Sequence, residues 1–320
     1  MNHLIRKLAL LALCTAPLLA QAQEYPSRPI TLIVPWNAGG STDVIMRAVA
    51  DAASKQLGQP FVIDNKPGVT GTLGPGAMAL SAKPDGYTIA QVSVPLVRQP
   101  MLVKTKWDPM KDFTYISNLM GYTMGVVAGA QTPYKTWNDV VAFAKAHPDE
   151  VSYGSSGLYG TPHLAMEQIS ALAKIELNHV PFKGGPEANT AVAGGHTQLQ
   201  ANSASWKPLL DGGKARLLMV FSEQRSKQWP DVPTLKELGY PLVIDSPLGI
   251  AGPKGMDPKI VAKLDAAFRA ALDAPEVQRA MDDFAMFPSY KGPEEYRKFM
   301  LEQQKQERAL LEKMGIPLVK

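Results

Sequence analysis

The feature that most constrains this sequence is an apolar strand that leads into a helix through two glycines, between Pro29 and Leu57. The run Ile30–Val34 predicts a buried strand. Apolar residues at helical spacing then predict a helix from Ser41, with Ser41 and Thr42 as candidate caps. Backbone N–H groups at a helix start lack partners within the helix, and the positive end of its dipole lies there too.

The connecting turn therefore predicts a site for a small anion, held by Trp36, Asn37, Ala38, Gly39, Gly40 and Ser41. The alternative is that Gly39 and Gly40 only let the chain turn. The turn has neither the Gly-Lys-Ser/Thr of a phosphate loop nor the three spaced glycines of a dinucleotide site, so a small anion is favoured over a nucleotide. Asp43, in the first turn of the helix, suits the helix dipole.

A second turn of this kind runs from Tyr153 to His163. Here Ser155 and Ser156 add hydroxyl donors, and a helix begins near Thr161. A serine hydrolase using His163 is an alternative, but its nucleophile turn needs glycines two before and two after the serine, and Leu158 occupies the last of these positions. We predict no catalysis.

The N-terminus has the pattern of a secretory signal. A basic start that includes Arg6 and Lys7 precedes an apolar run to Ala20, and we expect cleavage after Ala22. The single cysteine, Cys14, lies in this segment, so a disulfide or a thiol nucleophile is not expected in the mature chain. A lipid anchor at Cys14 is a weak alternative, because bulky Leu13 precedes it. The scattered histidines show no ligand spacing, so neither a metal nor a cofactor is predicted.

Charge and length narrow the class of protein further. Removing the signal lowers the formal net charge from +4 to +2, which excludes a nucleic-acid binder. Strand and helix patterns alternate through most of the 320 residues, so the predicted fold class is α/β, and the length favours two lobes. After Gly252 the pattern predicts helices only, with no strand of their own, and this tail is expected to return to the first lobe.

Two further segments carry polar groups at predicted strand ends. Lys183 and Gly184 precede a helix near Glu187, although a solvated lysine is the simpler interpretation. Asn202 and Ser203 end another strand, and strand ends are where ligands collect in α/β sheets.

Assembled in this order, the segments resemble the TctC or Bug (Bordetella uptake gene) family, the solute-binding receptors of tripartite tricarboxylate transport. The matching pieces are Tyr25–Ile30, Val34-Pro35, Gly39–Asp43, Asn65–Gly68, Pro84–Tyr87, Ser155–Gly157, Gly160-Thr161, His163–Ala165, Val180–Gly184 and Asp231–Thr234.

This resemblance implies a two-lobed periplasmic binding fold (type II) with two crossover segments, which closes on a small organic acid. Lobe 1 is expected to span residues 23–125 and 247–320, and lobe 2 residues 126–246. The implied partners are membrane subunits of a tripartite tricarboxylate-type transporter, for which a sensor kinase is an alternative, and the receptor itself is expected to be a monomeric, periplasmic protein.

The complete predicted ligand site combines the turns, the strand ends and the resemblance. Its residues are Trp36, Asn37, Ala38, Gly39, Gly40, Ser41, Asp43, Ser93, Ser155, Ser156, Gly157, Gly160, Thr161, His163, Lys183, Gly184, Asn202 and Ser203.

The sequence also departs from the family pattern. Amides stand at Gln198 and Asn202 where acids are common, and the usual second proline near Asn37 and aromatic residue near Leu248 are missing. Replacing an acid by an amide removes repulsion toward anions. We therefore expect a ligand whose second carboxylate, on an aliphatic or aromatic acid, reaches toward Asn202.

Overall fold

The computed structural model describes residues 24–319, so the predicted signal and its cleavage site lie outside the described residues. Two mixed sheets organise the chain. The first has the strand order β11-β4-β10-β3-β1-β2. Its strands are β1 (Ile30–Val34), β2 (Phe61–Asn65), β3 (Thr88–Val92), β4 (Phe113–Gly121), β10 (Pro247–Pro253) and β11 (Phe287–Lys291).

In the first sheet, β1 pairs in parallel with both β2 and β3, whereas β10 is antiparallel to β3 and β4. The parallel part has its strand ends at one edge, which is where β1 and β3 deliver their loops. This arrangement confirms the predicted α/β class.

The second sheet has the order β7-β6-β8-β5-β9. Its strands are β5 (Met124–Gly129), β6 (Ser152–Ser155), β7 (Asn178–Pro181), β8 (Leu199–Ser203) and β9 (Ala215–Val220). Strand β6 runs parallel to β7 and β8, and β5 runs antiparallel to β8 and β9. The chain passes between the sheets twice, after β4 and after β9. The exact lobe boundaries at residues 125 and 246 stay a prediction.

Ten helices accompany the sheets in residues 24–319. They are α1 (Ser41–Leu57), α2 (Leu73–Ser81), α3 (Pro95–Leu102), α4 (Trp137–Ala146), α5 (Thr161–Ala173), α6 (Gly185–Ala193), α7 (Lys207–Asp211), α8 (Pro258–Ala271), α9 (Pro275–Asp283) and α10 (Pro293–Lys313). Short 3-10 turns lie at Val69–Gly71 and Ala204–Trp206. Helix α1 packs against α8 and α9, while α10 packs on β4 and α3, so the helices of the tail cover the first sheet.

The structure corrects two local predictions. The tail does contain a strand, β11, which pairs with β4 at the sheet edge. Its pattern was hard to recognise because it is short, half-exposed and contains Pro288, a residue tolerated at an edge. The N-cap of α1 is Gly40 rather than Ser41 or Thr42, and no side chain caps this helix.

Candidate ligand-binding cavity

The first turn, Pro35–Gly40 (turn A), joins β1 to the start of α1. Gly39 adopts a φ of +78°, in the left-handed region that favours glycine. The Gly39 N–H donates to Asp43 Oδ2 over 2.9 Å, and Asp43 Oδ1 accepts from Asn65 Nδ2 at 2.9 Å. Turn A is thus fixed from behind by a carboxylate, which leaves the N–H groups at the start of α1 to other partners.

The charge of Asp43 is balanced locally. Its burial raises the pKa, but hydrogen bonds from Arg47, the Gly39 N–H and Asn65, with the positive charge of Arg47, outweigh that effect and hold the pKa below its usual value. The Arg47 guanidinium lies 2.9 Å from the carboxylate, one helical turn away. Asp43 therefore remains ionised but paired.

The second turn, Ser156–Gly160 (turn B), joins β6 to α5 and has the same plan. Gly160 is the N-cap, as Gly40 is in turn A, and both glycines have extended backbone angles. The acceptor three residues into the helix is now an imidazole, since the Tyr159 N–H donates to His163 Nδ1 over 3.0 Å. Burial, with smaller contributions from His179 and Arg98, lowers the pKa of His163 to about 3, so this acceptor is neutral at pH 7.

A third helix start, that of α6 at Gly185, lies beside turn A. A Cβ on Gly185 would fall 2.5 Å from Ser205 Oγ and 3.5 Å from Asn202 Nδ2, so only glycine fits there without displacing Ser205. A Cβ on Gly40 would similarly approach Pro186 Cδ to 3.4 Å. The starts of α1 and α6 therefore contact each other, although they belong to helices on different sheets.

These helix starts enclose a cavity of about 50 Å³ between the two sheets. That is room for a few waters or part of a small ligand. The residues that line it are Trp36, Asn37, Gly40, Ser41, Thr42, Thr70, Ser93, Pro95, Tyr122, Met124, Ser156, Thr161, Pro162, Gly185, Pro186, Asn202, Ser203, Ser205 and Ser246.

The chemistry of this wall is unusual for an anion site, because it contains no lysine, arginine, histidine, aspartate or glutamate. Hydroxyl and amide groups dominate instead, together with the N-terminal residues of α1, α5 and α6. Such groups bind an anion with partial charges, in a setting where the low dielectric strengthens each hydrogen bond.

Hydrogen bonds connect the two sides of the cavity. Ser41 Oγ lies 3.0 Å from Ser203 Oγ, and Thr70 Oγ1 donates to the Leu158 carbonyl over 3.2 Å. Arg98, on α3, donates to the Tyr159 carbonyl over 2.9 Å and forms a salt bridge with Glu307 on α10. The cleft is therefore closed in this conformation.

Comparison with known proteins identifies the class of receptor to which this geometry belongs. Residues 45–316 match the family model of the tripartite tricarboxylate transporter family receptor, TctC. This match covers most of the chain. The chain belongs to this family. Its fold is that of the periplasmic binding proteins, and TctC proteins are receptors rather than enzymes.

Individual TctC relatives match over nearly their whole length. A protein from the gbd 5′ region of Cupriavidus necator is 46% identical over 96% of this chain and 94% of its own. A Rhodopseudomonas palustris protein solved with adipate is 27% identical, with a TM-score of 0.87 over 92% of this chain and 99% of its own. MatC from the same species, solved with malate, is 27% identical, with a TM-score of 0.82 over 90% of this chain and 100% of its own.

Nine of the eighteen residues predicted to bind ligand line the cavity of this TctC protein. They are Trp36, Asn37, Gly40, Ser41, Ser93, Ser156, Thr161, Asn202 and Ser203. The other nine lie outside its wall: Ala38, Gly39, Asp43, Ser155, Gly157, Gly160, His163, Lys183 and Gly184. Of these, Gly39, Asp43, Gly160 and His163 shape turns A and B from behind.

Ser155 and Lys183 illustrate why a predicted residue can lie outside the wall. Ser155 is fully buried and its Oγ hydrogen bonds with His179 Nε2 at 2.8 Å, because it ends β6 facing the interior. The pair is not part of the cavity wall, so it presents no nucleophile to a ligand in the cavity. Lys183 lines a surface groove with Leu158 and Phe182, and this groove adjoins the cavity at Thr70 and Ser156.

Ten wall residues were not predicted: Thr42, Thr70, Pro95, Tyr122, Met124, Pro162, Gly185, Pro186, Ser205 and Ser246. Thr42 was visible as a neighbour of turn A, and Gly185 would have followed from starting α6 two residues earlier. Tyr122, Met124 and Ser246 lie at the two passages between the sheets. No local motif marks them, and their proximity is a result of the tertiary fold.

Within residues 24–319, no group of three or more metal-ligating side chains is placed to hold an ion, and no helix is long and apolar enough to cross a membrane.

Proposed function

We propose that this protein is a periplasmic receptor that captures a small di- or tricarboxylate, or an aromatic carboxylate, by lobe closure. It then delivers the acid to membrane subunits of a tripartite tricarboxylate-type transporter. The observation that carries the proposal is the cavity wall, which has no charged side chain but contains the first residues of four helices, α1, α3, α5 and α6, from both sides of the cavity. The lobe boundaries given above and a monomeric state are part of this proposal.

Energy estimates support binding without a cation. A hydrogen bond to a charged group contributes about 1.5–3 kcal/mol, so three or four neutral donors together contribute about 4.5–12 kcal/mol toward holding a carboxylate. A buried lysine or arginine in the wall would carry a desolvation cost of its own in the empty receptor. The neutral wall avoids that cost in the ligand-free receptor.

Closure follows from the position of the donors on both sides. Ser41 and Thr42 belong to the first sheet's side of the cavity, whereas Ser156, Asn202 and Ser205 belong to the second. A ligand that contacts both sets stabilises the closed form in proportion to its extra contacts there. The adipate and malate bound by the two Rhodopseudomonas palustris proteins are acids of this type.

The test is thermal unfolding of the protein without its predicted signal, against mono-, di- and tricarboxylates, aromatic acids, neutral amino acids and sugars. A ligand at 100 times its dissociation constant adds about 2.7 kcal/mol, which should raise Tm by about 5 °C. We expect a shift with one group of acids. A shift with sugars or neutral amino acids, and none with acids, would contradict the proposal.

A further inference from the structure

The side chain of Asn202 is a polar group that the folded protein leaves incomplete. It is 5% exposed, at the end of β8, and forms part of the cavity wall. Its Oδ1 accepts the Ser203 N–H at 2.9 Å. Because a backbone N–H can only donate, the oxygen of the amide must face Ser203, and this fixes the direction of the NH₂ group.

The Nδ2 atom of Asn202 is buried and has no hydrogen-bond partner. Five other buried side-chain atoms in residues 24–319 share this property, on Asn118, Thr197, Gln200, Trp206 and Tyr296. None of those five residues is in the cavity wall. Buried donors without a partner are costly and rare, so one at the edge of a ligand cavity indicates a partner that arrives with the ligand.

The surroundings of Asn202 show what that partner is. The Nδ2 atom lies beside Gly185, the first residue of α6, whose start is also a region of positive potential. The nearest neighbours in the wall, Ser203 and Ser205, are neutral hydroxyl residues. An oxygen acceptor that carries negative charge satisfies both the amide donor and the helix start, whereas an ammonium group would meet an N–H donor.

The donors of the cavity fall into two groups. Asn202 and Ser205 lie against the start of α6, which contacts turn A, while Ser156 and Thr161 lie at turn B near Thr70. Two such groups offer hydrogen-bond donors to two carboxylates of one ligand.

We propose that Asn202 is a specificity-determining residue of this site, whose Nδ2 donates to the second carboxylate of a dicarboxylate ligand. This inference rests on the proposed function and narrows its ligand class from di-, tri- and aromatic carboxylates to diacids. Asn202 then separates diacids from monoacids of equal length, and from amino acids that place an ammonium group at this position.

The test compares diacids with matched monoacids on matched variants. Succinate, malate and adipate are titrated by calorimetry, with butyrate and hexanoate as the monoacids, into the parent protein, Asn202→Ala and Asn202→Asp. Asn178→Asp is the control, because it adds the same charge at an exposed position of β7 in the same sheet.

We expect Asn202→Ala to weaken the best diacid about 10- to 100-fold and to leave its monoacid within about threefold. Asn202→Asp should weaken the diacid further, because two carboxylates then face each other, and Asn178→Asp should have no effect. The aspartate variant retains an oxygen for the Ser203 N–H, so it keeps the test valid even where the alanine variant unfolds.

The possible failures are distinguishable. Binding of no acid by the parent protein contradicts the proposed function itself. Binding of an acid with equal losses for diacid and monoacid in Asn202→Ala, or with no loss for either, overturns the role of Asn202 and leaves the receptor function standing. Preference of the parent protein for monoacids over diacids has the same consequence.

Discussion

Turns A and B share one hydrogen-bonding plan but use side chains of different charge. Each follows a strand, has a glycine N-cap, and uses a side chain three residues into the helix to accept the N–H that precedes the cap. In turn A that side chain is Asp43, an ionised carboxylate paired with Arg47. In turn B it is His163, a neutral imidazole.

The difference determines how each turn is held and what it offers a ligand. Turn A is fixed within its own side of the cleft, by Asp43 and Asn65. Turn B is fixed partly from across the cleft, by Arg98. Because the side chain that accepts from turn B is an uncharged imidazole, with Glu167 one step further back at 3.7 Å from His163, the positive potential at the start of α5 is offset less there. Turn A also has a hydrogen bond across the cleft, from Asn37 Nδ2 to Glu187 Oε1 at 2.9 Å, but that bond is exposed, whereas the bond from Arg98 to turn B is partly buried.

The largest effect should be the difference in stability between variants of two arginines, Arg98 and Arg47. Arg98→Leu leaves Glu307 without its partner; Arg98 is 2% exposed and the Glu307 side chain 10%, so we expect a loss of about 3–5 kcal/mol in unfolding free energy. Arg47→Leu removes a guanidinium that is 48% exposed, while Asp43 keeps two hydrogen bonds, so the loss should stay below about 1.5 kcal/mol. Urea unfolding of the ligand-free protein measures both.

The control for Arg98 is the double variant Arg98→Leu/Glu307→Leu. Replacing a buried ion pair by apolar residues is often nearly neutral, so the double variant should recover much of the lost stability. Equal losses of stability for Arg98→Leu and Arg47→Leu would show that the two turns are held equally strongly.

The second effect is that protonation of the two histidines and protonation of Asp43 lower the stability of the protein over different pH ranges. Burial lowers the pKa of His163 to about 3 and of His179 to about 4, below the value of about 6.5 for an unfolded histidine. Their contribution to stability is therefore complete above pH 6.5 and is lost as the pH falls toward those values. The pKa of Asp43 is also lowered, but from 3.8, so its contribution is lost only below about pH 4.

His163→Asn, which keeps an oxygen acceptor for the Tyr159 N–H, should therefore flatten the stability profile between pH 6.5 and 4.5 by about 1.4 kcal/mol per pH unit. Asp43→Asn should leave that slope unchanged and alter the profile only at lower pH. Urea unfolding over this pH range provides the measurement. An identical slope in the parent and His163→Asn would show that turn B is not the acid-sensitive region.

The contrast also explains what the sequence could reveal. Both turns were predictable, since glycines and small polar residues between a strand and a helix form a local pattern. The start of α2 at Leu73 is harder to predict, because Gly74 and Gly76 resemble a loop. In the fold these glycines let the helix approach Ile33 and Trp107, and that contact is not visible locally.

Side-chain direction limited the prediction of the site. Ser155 and Ser156 are adjacent, yet Ser155, the last residue of β6, hydrogen bonds with His179 in the interior, whereas Ser156, the first residue of turn B, lines the cavity. Sequence patterns place the pair at the right edge without deciding between them. The residues at the passages between the sheets, such as Tyr122, come from distant parts of the chain and leave no pattern at all.

The smallest expected effect concerns Lys183, the one cation predicted to contact the ligand. It is exposed, lies outside the cavity wall, and only its backbone N–H makes a hydrogen bond, to Glu187. Exposed charges are screened by solvent and salt. Lys183→Met should therefore change the dissociation constant for the best acid by less than about twofold at 0.15 M salt. A tenfold loss of affinity in Lys183→Met would mean that ligand binding draws Lys183 inward. The anion at turn B would then be held by a full positive charge instead of by the start of α5. The proposed reliance on neutral donors would fail on that side of the cleft.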